Sequence, residues 1–98
     1  MTQMQNFQKG ETIYVYLPEY RDIIQTKINY CDYSMHKRLI RICIWYNGDT
    51  HLIEDIYIKG IGRTFTECIK LNFKYFKTWE RFEALKQKYG KLYPEYFI

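Results

Sequence analysis

Residues 68–82 read CIKLNFKYFKTWERF. Five aromatic and four basic side chains share these fifteen positions and nearly alternate, so the conformation of this stretch decides the fold. Read as extended chain, Ile69, Leu71, Phe73 and Tyr75 fall on one face and Lys70, Asn72 and Lys74 on the other, the period of a half-buried strand. Read as helix, Cys68, Leu71, Tyr75, Trp79, Phe82, Leu85 and Tyr89 fall at helical spacing, and Thr64 with Glu67 fits a capping box. Ile, Asn, Phe, Tyr and Cys are middling to poor helix formers. One helix over 65–89 would also have to hide Ile69, Phe73 and Phe76 on a second face. The balance predicts a strand over about 67–76.

Working outward from there, Thr78 is placed to cap a helix over about 79–89. Glu80 lies in its first turn, Lys86 and Lys88 in its last, and Gly90 is the stop. An apolar tail, 91–98, follows. Upstream, Gly60-Ile61-Gly62-Arg63 reads as a turn. Before it lies the clearest signal in the chain, HKRLIRICIWY and THLIEDIYIK flanking Asn47-Gly48-Asp49. Asn-Gly adopts the left-handed dihedrals of a tight antiparallel hairpin, which predicts strands over about 38–46 and 50–59. In ETIYVYL, Ile13, Val15 and Leu17 alternate with Tyr14 and Tyr16, a strand over about 12–17 that Pro18 ends. Residues 19–33 fit a helix with Tyr20, Ile23, Ile24, Ile28 and Cys31 as its stripe or, over 23–31, a strand in which Ile24, Thr26, Ile28 and Tyr30 share a face. Their β-branched content favours the strand. Residues 1–10 form a polar lead-in, expected to be frayed up to Phe7.

The predicted fold class is α+β: a four- to five-stranded antiparallel meander or a small SH3-like barrel, with one C-terminal helix. At 98 residues the chain is expected to be a single domain, with a radius of gyration of about 13 Å. Hydrophobic residues make up 47% of it, enough for a core. Eleven Tyr and a single Ala, Ala84, disfavour a helical bundle. They suit a domain that presents amphipathic surface as well as core.

The net charge is +4, concentrated late in the chain: nine Lys and Arg against four Asp and Glu from Lys59 onward, six against seven before it. A basic C-terminal part suits an anionic partner, and it equally suits lysines that solubilise an aromatic-rich sheet. Cys31, Cys43 and Cys68 are odd in number and scattered. With no signal-like start and no apolar run of membrane-spanning length, this predicts a soluble, reduced, cytoplasmic protein that does not engage membranes.

KGETIYVYL resembles the opening strand of small SH3-like β-barrel proteins encoded by phages and mobile elements of low-GC bacteria. Ile61-Gly62-Arg63-Thr64-Phe65 and Phe76-x-Thr78-x-Glu80-x-x-Glu83-x-Leu85 resemble the ending of such proteins, here separated by Thr66–Tyr75. The resemblance implies a non-catalytic accessory protein that binds and modulates a host protein or protein–nucleic-acid machine, for example as an anti-defence, anti-CRISPR-like inhibitor. The alternative is a small basic nucleic-acid-binding domain.

No motif points to catalysis, a cofactor or a metal. Cys31, His36, Cys43 and His51 match no zinc spacing. Glu54 and Asp55, adjacent in a predicted strand, would point to opposite faces. Gly60-Ile61-Gly62-Arg63-Thr64 could form an amide nest but lacks the Lys-Ser ending of a phosphate loop, and a turn explains its glycines. The candidate binding residues are Arg63, Lys70, Lys74 and Lys77, with Phe76 as a stacking ring. On a strand, Lys70 and Lys74 would stand roughly 13 Å apart on one face. Tyr93, Tyr96 and Phe97 of the tail either dock on the core or anchor a partner or a second copy in a homodimer.

Overall fold

The computed structural model describes residues 7–97. Residues 1–6, predicted to fray, and Ile98 of the tail lie outside the described residues. Four strands form an open antiparallel sheet in chain order: β1 (Thr12–Leu17), β2 (Asp22–Tyr33), β3 (Leu39–Tyr46) and β4 (Asp49–Glu54). One helical turn, α1 (Asp55–Ile58), then α2 (Phe65–Tyr75), α3 (Glu80–Tyr89) and a 3-10 turn (Pro94–Tyr96) complete the chain. The meander was therefore the right alternative. The sheet is not closed into a barrel, and two long helices stand where one was expected.

The described chain forms two compact units, residues 7–12 with 26–58, and residues 13–25 with 59–97. In the first, the hairpin is as its sequence dictates. Asn47 and Gly48 take φ of 54° and 77°, and this two-residue turn sets Tyr46 opposite Asp49 and Ile44 opposite His51. Ile28, Ile42, Ile44 and Ile53 are buried on one side of the strands.

β4 stops at Glu54, short of the predicted 59. The Ile56–Ile58 alternation that suggested strand belongs instead to a helical turn, with Ile56 exposed and Ile58 buried. Asp55 therefore opens a helical turn, carrying an acid at its positive end and pairing with Arg38 at 3.3 Å. Glu54 pairs with Arg41 at 3.3 Å. The two acids belong to separate ion pairs.

In the second unit, the predicted strand at 67–76 is a helix. Thr64 is its N-cap, its hydroxyl accepting from the Glu67 amide at 3.0 Å, and the Glu67 carboxylate accepts from the Arg63 amide. The local cap outweighed the weak propensity of the residues after it, which costs at most a few tenths of a kcal/mol each. Cys68, Ile69, Asn72 and Phe76 form the buried stripe. The apparent alternation was incidental, since Leu71 and Phe73 are half-buried and Tyr75 is exposed.

The second apolar face that argued against a helix is covered because the helix ends. The chain turns at Phe76–Trp79, and α3 and the tail return over it. Phe73 packs edge-on against Phe82 at 5.4 Å and Phe97 at 6.2 Å. Thr78 does not cap α3; Trp79 is the N-cap and makes no side-chain cap bond.

A buried polar cluster joins these pieces. Arg81, 7% exposed, donates Nη1 to the Asn72 Oδ1 at 3.1 Å. Its guanidinium lies 4.8 Å from the Tyr16 ring centre and 4.4 Å from that of Phe76. Asn72 Nδ2 donates to the Cys68 carbonyl at 2.8 Å and the Gly60 carbonyl at 3.2 Å. A second clamp fixes α3. Burial disfavours ionised Asp22, but bonds from Lys88 Nζ at 2.8 Å, the Tyr89 hydroxyl and the Ile23 amide at 2.7 Å prevail. Together they hold its carboxyl below the usual range.

Gly60 and Gly62 serve this packing and do not form a hairpin turn. Neither has positive φ. A Cβ on Gly62 would stand 2.5 Å from the Cys68 nitrogen and 2.9 Å from its Cα. The Gly62 amide and carbonyl are bonded to Tyr14 at 3.0 and 2.8 Å. With the Arg63 amide held by Glu67, the stretch offers no amide nest for phosphate.

Gly62→Ala forces backbone apart, an effect on the order of 3 kcal/mol. It should lower the melting temperature by about 10–20 °C; an unchanged melt would refute the close approach. Asp22→Asn should cost about 1.5–3 kcal/mol at pH 7. Because the folded carboxyl titrates below its unfolded value, its stabilisation is present above the unfolded pKa and fades as pH falls through the folded one. Wild type and Asp22→Asn should therefore melt apart at pH 7, and the gap should narrow as pH falls below the ordinary carboxylate range.

Candidate interaction surfaces

The register of the first unit builds a face that period-two reading does not anticipate. β2 carries an irregularity between Ile28 and Tyr30: Ile28 is opposite Ile44, but Tyr30 is opposite Cys43. Asn29 is the extra residue, a β-bulge. Strict alternation would have put Tyr30 beside Ile28, inside; the bulge turns it to the other face. There, three rows cross the strands: Lys27, Trp45, Thr50; Tyr30, Cys43, Leu52; and Asp32, Arg41, Glu54.

Trp45, Leu52 and Tyr30 are 57, 53 and 43% exposed around a Cys43 that is 2% exposed. Arg41 closes one end of this face. Its Nη1 pairs with Asp32 at 3.0 Å and its Nε with Glu54 at 3.3 Å. Contact with the Cys43 thiol raises the Tyr30 phenol above its ordinary pKa, keeping it a neutral hydroxyl. None of these aromatic or aliphatic residues was among the sequence candidates. The hairpin register, fixed by Asn47-Gly48, was the available signal for Trp45 and Leu52; nothing in the sequence marks the bulge.

The second unit carries the charge. Residues 13–25 and 59–97 hold ten Lys and Arg against six Asp and Glu, and the other unit five against five, so the whole +4 resides here. Lys70 and Lys74 lie one turn apart on the exposed side of α2, and Lys77 follows its end. Lys70 Nζ lies 5.6 Å from the Tyr96 ring centre, Lys74 Nζ 5.2 Å from that of Tyr75, and Lys77 Nζ 5.1 Å from that of Phe73. Lys59, absent from the sequence candidates, points at Tyr75 from 5.7 Å.

Of the residues predicted from sequence, the structure thus gathers Lys70, Lys74, Lys77 and Tyr96, with Tyr93 stacked on Tyr96 at 5.9 Å. Arg63 stands apart, before the N-cap of α2. Phe76 and Phe97, 2% and 7% exposed, are core residues, so neither ring is presented to a base or a partner. The tail docks, as one of the two alternatives had it.

Cys43 and Cys68 are buried and Cys31 is half-buried. Burial pushes Cys68 up to about 12, against the opposing influence of hydrogen bonds and Arg81, and burial also raises Cys31. Among the described residues, no group of three or more His, Cys, Asp and Glu side chains is arranged to hold a metal ion. A groove of about 530 Å³ beside α3, lined by Glu83, Lys86, Lys91, Pro94 and Phe97 among others, is largely open to solvent. No helix among the described residues is long and apolar enough to cross a membrane. No family model matches the chain, and neither the curated proteins nor the solved structures gave a match.

Brief treatment of the native protein with iodoacetamide should label Cys31 first and leave Cys68 unmodified, as read by peptide mass spectrometry. Labelling of Cys68 at the rate of Cys31 would contradict the burial described here.

Proposed function

We propose that this chain is a non-catalytic binding protein that presents the Tyr30–Trp45–Leu52 face to a protein partner, modulating a host protein or a protein–nucleic-acid machine. The accessory, anti-defence role implied by the resemblance to phage-encoded proteins fits this reading. The observation that carries it is an exposed Trp beside an exposed Tyr and Leu on a hydrogen-bonded sheet, with a charged rim at Asp32, Arg41 and Glu54. Trp and Tyr anchors within a polar rim are the composition of interface hot spots. They supply large contact area at small entropic cost, because each has only two side-chain torsions to fix. Strands on either side hold the rings in place, so the face is preorganised.

The test is affinity capture from host lysate followed by quantitative binding of the recovered protein. Trp45→Ala should weaken that complex by about 2 kcal/mol, roughly 30-fold. In a Trp79→Phe background, Trp45 emission should shift to the blue as the partner covers it. Capture of nothing, or of a partner that binds Trp45→Ala and Leu52→Ser as well as wild type, would sink the proposal.

A further inference from the structure

We infer that the lysine row of α2 is a nucleic-acid phosphate-binding site, separate from the sheet face and independent of the function proposed for it. Lys59, Lys70, Lys74 and Lys77 meet aromatic rings, and no carboxylate contacts any of the four among the described residues. Three of the unit's six acids are engaged elsewhere. Asp22 is held by Lys88 and Tyr89, Glu80 faces Arg21 at 3.7 Å, and Glu67 accepts from the Arg63 amide. Four of the unit's ten cations therefore stand here without a contacting carboxylate.

Their spacing suits a linear polyanion. Residues four apart on a helix are separated by about 6 Å along its axis, comparable with the step between successive phosphates of one strand. The ring contacts hold each ammonium beside the helix, yet such contacts at exposed sites are worth only about 0.5–1 kcal/mol. The lysines can therefore leave the rings for phosphate at little cost. Tyr75, 43% exposed and approached by both Lys59 and Lys74, offers a ring beside two cations. An unpaired base can stack there while its phosphates meet the lysines.

A lipid surface is a poorer match. A membrane-bound helix commits its apolar face to the bilayer, whereas the apolar stripe of α2, Cys68, Ile69 and Phe76, is 0–2% exposed and belongs to the core. An acidic protein is the remaining competitor, and it lacks the phosphate-like step that Lys70 and Lys74 match.

The experiment uses the full chain with a fluorescent 20-mer as single strand and as duplex, titrated from 25 to 300 mM salt. Four phosphate contacts predict a slope of log K against log salt of about −3 for the single strand and a steeper one for the duplex. Lys70→Gln with Lys74→Gln should reduce the single-strand slope by about 1.4 and weaken binding at low salt at least tenfold. Lys37→Asn removes one charge from the neutral unit and should change neither; thermal melts verify that each variant is folded. Tighter binding of the single strand, lost in Tyr75→Ala, would assign base stacking to Tyr75. Equal binding of both forms would assign the affinity to phosphates alone. No binding of either form at 25 mM salt would overturn the inference, as would binding untouched by the double replacement or poly-glutamate competing as well as the oligonucleotide.

Discussion

The second unit depends on one buried arrangement: the Arg81 guanidinium, set against the rings of Tyr16 and Phe76 and hydrogen-bonded to Asn72. Removing a hydrogen-bond acceptor of a buried charge costs about 1.5–3 kcal/mol, a sizeable share of the stability of a small domain. Asn72 must therefore sit where its carbonyl meets Arg81 and its amide meets Cys68 and Gly60. The bond to Cys68, four residues back, exists only while the chain is helical. The same bond network leaves little room at Gly60, where a Cβ would come within 3.1 Å of both Asn72 and Phe76. A glycine, an asparagine and an arginine spread over 22 positions thus fit one another, and their bonds add tertiary support to the helix that the Thr64 cap starts.

This explains where the sequence was legible and where it was not. The hairpin at Asn47-Gly48 and the strand Thr12–Leu17 follow from local chemistry, since a left-handed turn and a period of two need no tertiary knowledge. So does α3, whose acids and lysines suit its dipole. Residues 67–76 did not, because Asn72 looks like a surface residue of a strand until its three partners, two of them nine and twelve positions away, are known. The cap at Thr64 was the one local sign of the helix, and it was outvoted by an alternation in which Tyr75 proves exposed and Phe73 is covered by residues as distant as Phe97. Of the candidate site, charge was legible and aromatic placement was not. The lysines lie outside, as any strand or helix would put them, while Phe76 and Phe97 are core and Trp45, Leu52 and Tyr75 took their place as exposed rings or apolar surface.

The two surfaces differ in physics. The face around Trp45 belongs to a unit with no net charge, and its rim charges are paired with one another. Binding there would rest on apolar area and anchor residues, a short-ranged effect that salt alters little. The α2 row belongs to a unit with all of the surplus charge, and its pull on an anion extends to roughly 8 Å at physiological salt before screening removes it.

The tyrosines tie these points together. Tyr16 and Tyr89 lie at the edge of the core, with Tyr89 donating its hydroxyl to Asp22; burial and that bond raise its pKa and keep it a donor. Tyr93 and Tyr96 extend the same packing toward the surface, and Lys70 rests on Tyr96. Four tyrosines, Tyr20, Tyr30, Tyr33 and Tyr75, are left exposed; of these Tyr30, turned out by a bulge, and Tyr75, on a helix, mark the faces argued to bind. The correction from strand to helix works in favour of an anionic ligand. Extended, Lys70 and Lys74 would stand roughly 13 Å apart, bridging more than one phosphate with a gap between. Helical, they close to about 6 Å, and Lys59 is brought to the Tyr75 ring that Lys74 also approaches. A cation density that a strand would have diluted is thus concentrated by the fold that Asn72 and Arg81 impose.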